Sequence, residues 1–118
     1  MRALILICLV ACGSSAASKR ETTIKATLTT IDGLSAGLVA YDGPHQLDIV
    51  GHAANREDAL TQLSDYRKKR DKAEEVVIAA YKAVAAAATL DDDKSLSAML
   101  AAALLVQQAL AELGVKLP

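Results

Sequence analysis

Phenylalanine and tryptophan are absent from this chain of 118 residues; tyrosine occurs three times, proline twice, cysteine twice and glycine six times. Each shortage excludes something. Two cysteines cannot supply the several bridges that hold a disulfide-stapled miniprotein. Sparse proline and glycine leave long stretches with nothing local to stop a helix. The missing aromatics argue against a β-rich fold, because 24 Ala and 17 Leu carry much of the 53% apolar content and these are helix formers rather than sheet fillers. An excess of one charge is lacking too. With 13 Lys and Arg against 14 Asp and Glu, a net charge of -1 provides no global field toward nucleic acid, and the apolar content excludes an acidic disordered chain.

What is present begins at the N-terminus. Arg2 precedes an uncharged apolar run over 3–11, then Cys12 and the small residues Gly13, Ser14 and Ser15. A run this short cannot span a bilayer, which takes about 20 apolar residues, but it fits the roughly 7–15 of a secretory signal. Leu9-Val10-Ala11-Cys12 resembles the lipobox of bacterial lipoproteins, with an aliphatic residue three before the cysteine and a small one just before it. The resemblance covers only the signal segment. It implies cleavage before Cys12, a diacylglyceryl thioether on the Cys12 sulfur, and a further acyl chain such as palmitate on the new amino group. Gly13 resembles the outer-membrane sorting class, so the expected location is the periplasmic face of the bacterial outer membrane rather than the inner membrane. Two or more acyl chains make the attachment stable where one is marginal. Cys8 would leave with residues 1–11, and the mature chain over 12–118 would carry a net charge of -2 and no free thiol.

Residues 13–18 are small and polar, and read as a tether with a reach of about 13 Å. Ser18 and Glu21 fit a capping box at a helix start. From there Ile24, Leu28, Ile31, Ser35 and Leu38 recur at helical spacing, widened by Leu34 and Tyr41, until Asp42-Gly43-Pro44 ends the pattern. The first helix is expected over about 19–42. Gly33 and Gly37, one turn apart, predict close approach of a neighbouring helix within the same fold. A second helix is expected over about 45–89, about 68 Å long, with a first apolar stripe of Leu47, Val50, Ala53, Leu60 and Leu63 and a second of Ala73, Val77, Ala80, Tyr81 and Val84. Between them lies a charged waist over 64–72. A third helix over about 92–113 presents Leu96, Met99, Leu100, Ala103, Leu104, Val106, Leu110 and Leu113, closed by Gly114. The lengths predict an all-α fold of elongated antiparallel hairpins, helix 1 over 45–66 and helix 3 over 70–89. A compact four-helix bundle, with helix 2 broken near Ser64 and Asp65, is the alternative.

Chemistry is sparse. Arg67, Lys68, Lys69, Arg70 and Lys72 form the densest charge run, flanked by Asp65, Asp71, Glu74 and Glu75. On a helix these cations splay around more than one face, so a solvated waist is the default, with anionic lipid or glycan binding the functional alternative. Nucleic acid is not expected, since no aromatic platform accompanies the run. His45, Asp48 and His52 share a helix face, yet the histidines are about 10 Å apart along the axis, too far to share one ion, so no metal site is expected. His45 reads as a solvent-exposed first-turn residue. Asp91, Asp92 and Asp93 lack the ligand pattern of a calcium loop and read as a cap for the third helix. No nucleophile elbow, phosphate loop or paired buried carboxylates can be placed. The sequence therefore predicts a lipid-anchored helical lipoprotein of host or prophage origin, neither an enzyme nor a cofactor carrier, with a protein partner or self-association, acting as a structural or protein-interaction element.

Overall fold

A computed structural model describes residues 16–117. The expected signal peptide, the anchor Cys12 and residues 13–15 of the expected tether lie outside the described residues. Helix α1 spans Ala16–His52, α2 spans Arg56–Leu90 and α3 spans Asp93–Leu113. Among the described residues there is no strand. The body is an all-α rod of 60 × 23 × 15 Å, which excludes the compact four-helix bundle; α2 runs unbroken through Ser64 and Asp65.

Helix boundaries differ from expectation at three places. First, α1 is already under way at Ala16, so residues 16–18 are helical rather than tether, and Ser18 lies inside the helix instead of capping it. Glu21 is ion-paired one turn on with Lys25 at 2.8 Å. Second, Asp42-Gly43-Pro44 does not end α1; Pro44 sits within it. A proline there removes the amide that would bond the Ala40 carbonyl, ordinarily a serious penalty. Side chains on both sides of it are fastened to α2, as described below, and this tertiary packing overrides the local signal. Third, the chain breaks at 53–55. Asn55 accepts from the Asp58 amide at 2.9 Å, while Asp58 reaches back to accept from the Ala54 amide at 3.0 Å. The pair resembles a capping box, except that Asp58 accepts from the amide before the cap, Ala54, rather than from that of Asn55 itself, and it holds the Asp58 carboxyl below its ordinary pKa, chiefly through the Ala54 bond.

Moving the turn from 43–44 to 53–55 changes the pairing. Arg20 reaches Asp91 and Asp93, Tyr81 reaches Asp32, and Tyr66 reaches Asp42, so α1 runs antiparallel to 66–90 rather than folding over 45–66. Helix α3 lies along the same half of α2. All three helices share one core there, built from Ile31, Leu34 and Leu38 of α1, Ala73, Val77, Ala80, Val84 and Ala87 of α2, and Met99, Ala103, Val106 and Leu110 of α3. Spacings of three and four in each stripe give the 3.5-residue repeat of coiled-coil packing. The expected stripes of α2's second half and of α3 are therefore largely those observed. On α1 the buried face is rotated: Thr23 and Thr27 are inside, Thr27 satisfied by its bond to the Thr23 carbonyl at 2.8 Å, whereas Leu28 is exposed. Of the expected stripe, Leu47, Val50 and Leu60 are exposed and Ala53 and Leu63 half-buried, because α3 ends at Leu113 and no other described helix covers the hairpin beyond it.

Turn chemistry explains the remaining joints. Asp91 closes α2 in the left-handed region at φ 50° and donates its amide to Ala87, and Asp92 caps α3 by accepting from the Ser95 amide at 2.7 Å, the capping role expected of the aspartates. Gly114 ends α3 at φ 102°, with its amide on Ala111 and the Val115 amide on Leu110, the paired bonds of a Schellman motif. By length and composition α3 could cross a membrane. Here one face of it joins the shared core, with Met99, Ala103, Val106 and Leu110 fully buried, and 33% of its apolar stretch is buried inside the fold.

Candidate functional site

The part of the molecule richest in polar chemistry lies where α3 stops. Asp42 is at its centre. It accepts from the Tyr66 hydroxyl at 2.9 Å, from Gln46 Nε2 at 3.0 Å and from Arg70 Nη1 at 3.3 Å. Partial burial works against its ionisation, but the three donors outweigh that and hold its pKa below the ordinary carboxylate value. The same burial, with Asp42 beside it, pushes the Tyr66 hydroxyl far up. Arg67 donates twice to Gln46 Oε1 across the same interface, at 3.0 and 3.1 Å.

Tyr41, His45 and Tyr66 pack around this network. His45 stacks on Tyr41 with ring centroids 4.7 Å apart and lies 4.7 Å from the Tyr66 ring. It is therefore half-buried in an aromatic cluster, and the expectation of a solvated first-turn residue is corrected. Two of the chain's three tyrosines meet here, because Asp42 and His45 are placed one turn apart on α1 and Tyr66 projects from α2 between them. His52 instead sits near the tip, with Nδ1 2.9 Å from the Asp48 carbonyl and 3.1 Å from its carboxylate. Among the described residues no group of three His, Cys, Asp or Glu side chains converges to hold a metal ion.

The basic run is divided. Arg70 is committed to Asp42, to Asp71 at 3.1 Å and to Glu74 at 3.8 Å, and Arg67 to Gln46. Lys68, Lys69 and Lys72 remain exposed and, among the described residues, pair with no carboxylate. Lys69 and Lys72 line a shallow cleft of about 350 Å³ beside Glu112 at the end of α3, so two of these three cations have an acid for a neighbour. The five residues are not one patch.

Gly33 and Gly37 also require correction. A Cβ on Gly33 would meet no atom within 4 Å, and one on Gly37 would touch only Val115 Cγ1 at 4.0 Å. No neighbouring helix among the described residues presses against them. Sequence reasoning missed the Asp42 network because it read Asp42 as a helix stop, so the partners that the unbroken α1 brings to it could not be seen.

The geometry defines an elongated antiparallel three-helix rod with a two-helix extension and a charged seam at the junction. Compared with known protein families, curated proteins and solved structures, the chain matches none.

Proposed function

We propose that the chain is a lipid-anchored helical lipoprotein of the bacterial envelope that acts as a structural or protein-interaction element, on the periplasmic face of the outer membrane. The observation that carries this reading is Leu9-Val10-Ala11-Cys12-Gly13, close in sequence to Ala16, from which helix α1 is described. An acylated Cys12 so close to the rod would hold it by the end at which Arg20 ties α1 to the α2–α3 turn. The turn at 53–55 would then stand about 55 Å away along α1, at 1.5 Å per residue. Leu47, Val50 and Leu60 near that free end are all more than half exposed, as are Val39, Ile78, Leu90 and Leu105 elsewhere along the rod. A lipidated rod with exposed apolar side chains along its length suits contact with another protein rather than turnover of a small molecule.

Metabolic labelling with palmitate tests the reading. Label is expected on the wild type and on Cys8→Ala, with none on Cys12→Ala, which should also leave the membrane fraction. Label that persists in Cys12→Ala overturns the assignment.

Anionic lipid or glycan binding through 67–72 ranks second, since Arg67 and Arg70 already have partners within the fold. Its signature is binding of unacylated protein to anionic liposomes that falls steeply with salt and vanishes when Lys68, Lys69 and Lys72 are neutralised.

A further inference from the structure

Gln107 occupies a core position of α3 without the chemistry to suit it. It follows Ala103 by four residues and precedes Leu110 by three, both fully buried, and is itself 5% exposed. Other buried polar side chains of the rod are satisfied: Thr27 donates to the Thr23 carbonyl and Ser95 to that of Asp92. Among the described residues, Gln107 Oε1 is the one buried side-chain polar atom with no hydrogen-bond partner. Native folds pair nearly all such atoms, because a bare acceptor keeps its full desolvation cost. An acceptor left in this state calls for a donor from outside the chain.

The same residue lines a cleft. Leu104, Gln107, Gln108 and Ala111 of α3, with Leu117 beyond its end, surround a surface cleft of about 170 Å³. No charged side chain is among them, and the two amides are their only polar side-chain groups. An apolar cavity of about 150 Å³ holds one benzene, so the space suits a single ring. Leu117 follows the Gly114 stop on a stretch without helical structure, which makes it the most easily moved wall.

We propose that this cleft binds a neutral aromatic ring bearing a hydrogen-bond donor, a phenol or an indole, with the ring against Leu104 and Leu117 and its O–H or N–H on Gln107 Oε1. The lining selects that chemistry. A charged ligand would find no counter-charge there and would lose its hydration. A plain hydrocarbon ring would leave Oε1 bare. An aliphatic alcohol would satisfy the acceptor but lose its own torsional freedom, whereas phenol and indole join a rigid apolar body to one polar tip. A modest turn about the soft terminal torsion of glutamine presents Oε1 to the cleft.

A second copy of the chain does not supply the ring. Phenylalanine and tryptophan are absent, and the hydroxyls of Tyr41, Tyr66 and Tyr81 are given to Leu113, Asp42 and Asp32 within the fold. The ring comes either from a tyrosine or tryptophan side chain of another protein or from a free small phenol or indole. The cleft belongs to the described rod and owes nothing to Cys12, so failure of either assignment leaves the other standing.

Titration of the full chain with p-cresol and with toluene, followed through the methyl resonances of Leu104 and Leu117, tests the proposal. p-Cresol is expected to saturate these methyls at about a millimolar. Gln107→Met should weaken p-cresol about three- to tenfold, the worth of one net hydrogen bond, without weakening toluene, which shows the cleft intact. Ala111→Leu should fill the cleft and abolish p-cresol binding with the helical circular dichroism signal unchanged. N-acetyltyrosinamide separates the sources: binding by it as well as by p-cresol supports a side chain of another protein, and binding by p-cresol alone supports a free small molecule. No saturable shift at Leu104 and Leu117, as when the cleft holds water only, overturns the proposal. So do p-cresol binding indifferent to Gln107→Met and shifts confined to Val39 and Ile78, which line a different cleft.

Discussion

Tyr66 donates its hydroxyl proton to Asp42 Oδ1 at 2.9 Å, and this bond fastens α2 to α1 two residues before the proline that should have ended α1. Together with Gln46 and Arg70 it makes Asp42 the polar centre of the interface. Removing the hydroxyl with Tyr66→Phe should cost about 1 kcal/mol, the usual net worth of one hydrogen bond, and Asp42→Asn about 1–3 kcal/mol, because the charge that Arg70 faces disappears. Thermal unfolding followed by circular dichroism measures both.

The same site predicts a pH dependence. The folded-state pKa of Asp42 lies below its unfolded value, so its stabilisation is fully present above the ordinary carboxylate range near about 4 and is lost as the pH falls through the folded value. The stability gap between wild type and Asp42→Asn should hold from neutral pH down to about 5 and close below about 4. A gap that widens toward acid contradicts the assignment.

Gly114 is constrained twice. Its φ of 102° lies in the left-handed region, and a Cβ there would sit 2.8 Å from the Tyr41 hydroxyl, which itself bonds the Leu113 carbonyl at 3.2 Å. Gly114→Ala should destabilise by at least about 1 kcal/mol. Pairing it with Tyr41→Phe removes the clashing oxygen and should make the two changes cost less together than their sum, as a double-mutant cycle would read.

Gln107 is 5% exposed and, among the described residues, its Oε1 has no hydrogen-bond partner. A buried acceptor left bare carries an uncompensated desolvation cost. Gln107→Met, similar in shape and without the amide, should raise stability by about 1 kcal/mol; a loss of stability would show that the amide makes a contact worth keeping.

The turn at 53–55 depends on Asn55. Asn55→Ala should cost about 1 kcal/mol through loss of the cap, whereas Pro44→Ala should raise the melting temperature, since it restores an amide to the middle of α1. If Pro44→Ala destabilises instead, the proline supports the helix rather than being tolerated by it.

These positions show which parts of the fold could be read from sequence. The alanine-rich second half of α2 and the whole of α3 were legible because their apolar repeats, the Asp92 cap and the Gly114 stop all agree, so local and global preferences coincide. The first half was misread because Gly43-Pro44 is a strong local stop signal, and the contacts that overrule it come from residues more than twenty positions away in the chain. Once α1 was ended at 42, helix 1 had to be paired with the wrong half of helix 2. The true turn was written in Asn55 and Asp58, but an Asn-x-x-Asp pair without proline or glycine is easily passed over beside a stronger signal. The candidate site suffered most: Asp42, Tyr41, His45 and Tyr66 belong together only after the register of α1 on α2 is known.

Intact-mass measurement of the protein extracted from membranes of expressing cells tests the proposed anchor at Cys12 most directly. The expected result is a chain that begins at Cys12, heavier than the bare polypeptide by a diacylglyceryl group and one further acyl chain, with neither mass present in Cys12→Ala. An unmodified chain that retains residues 1–11 would contradict it.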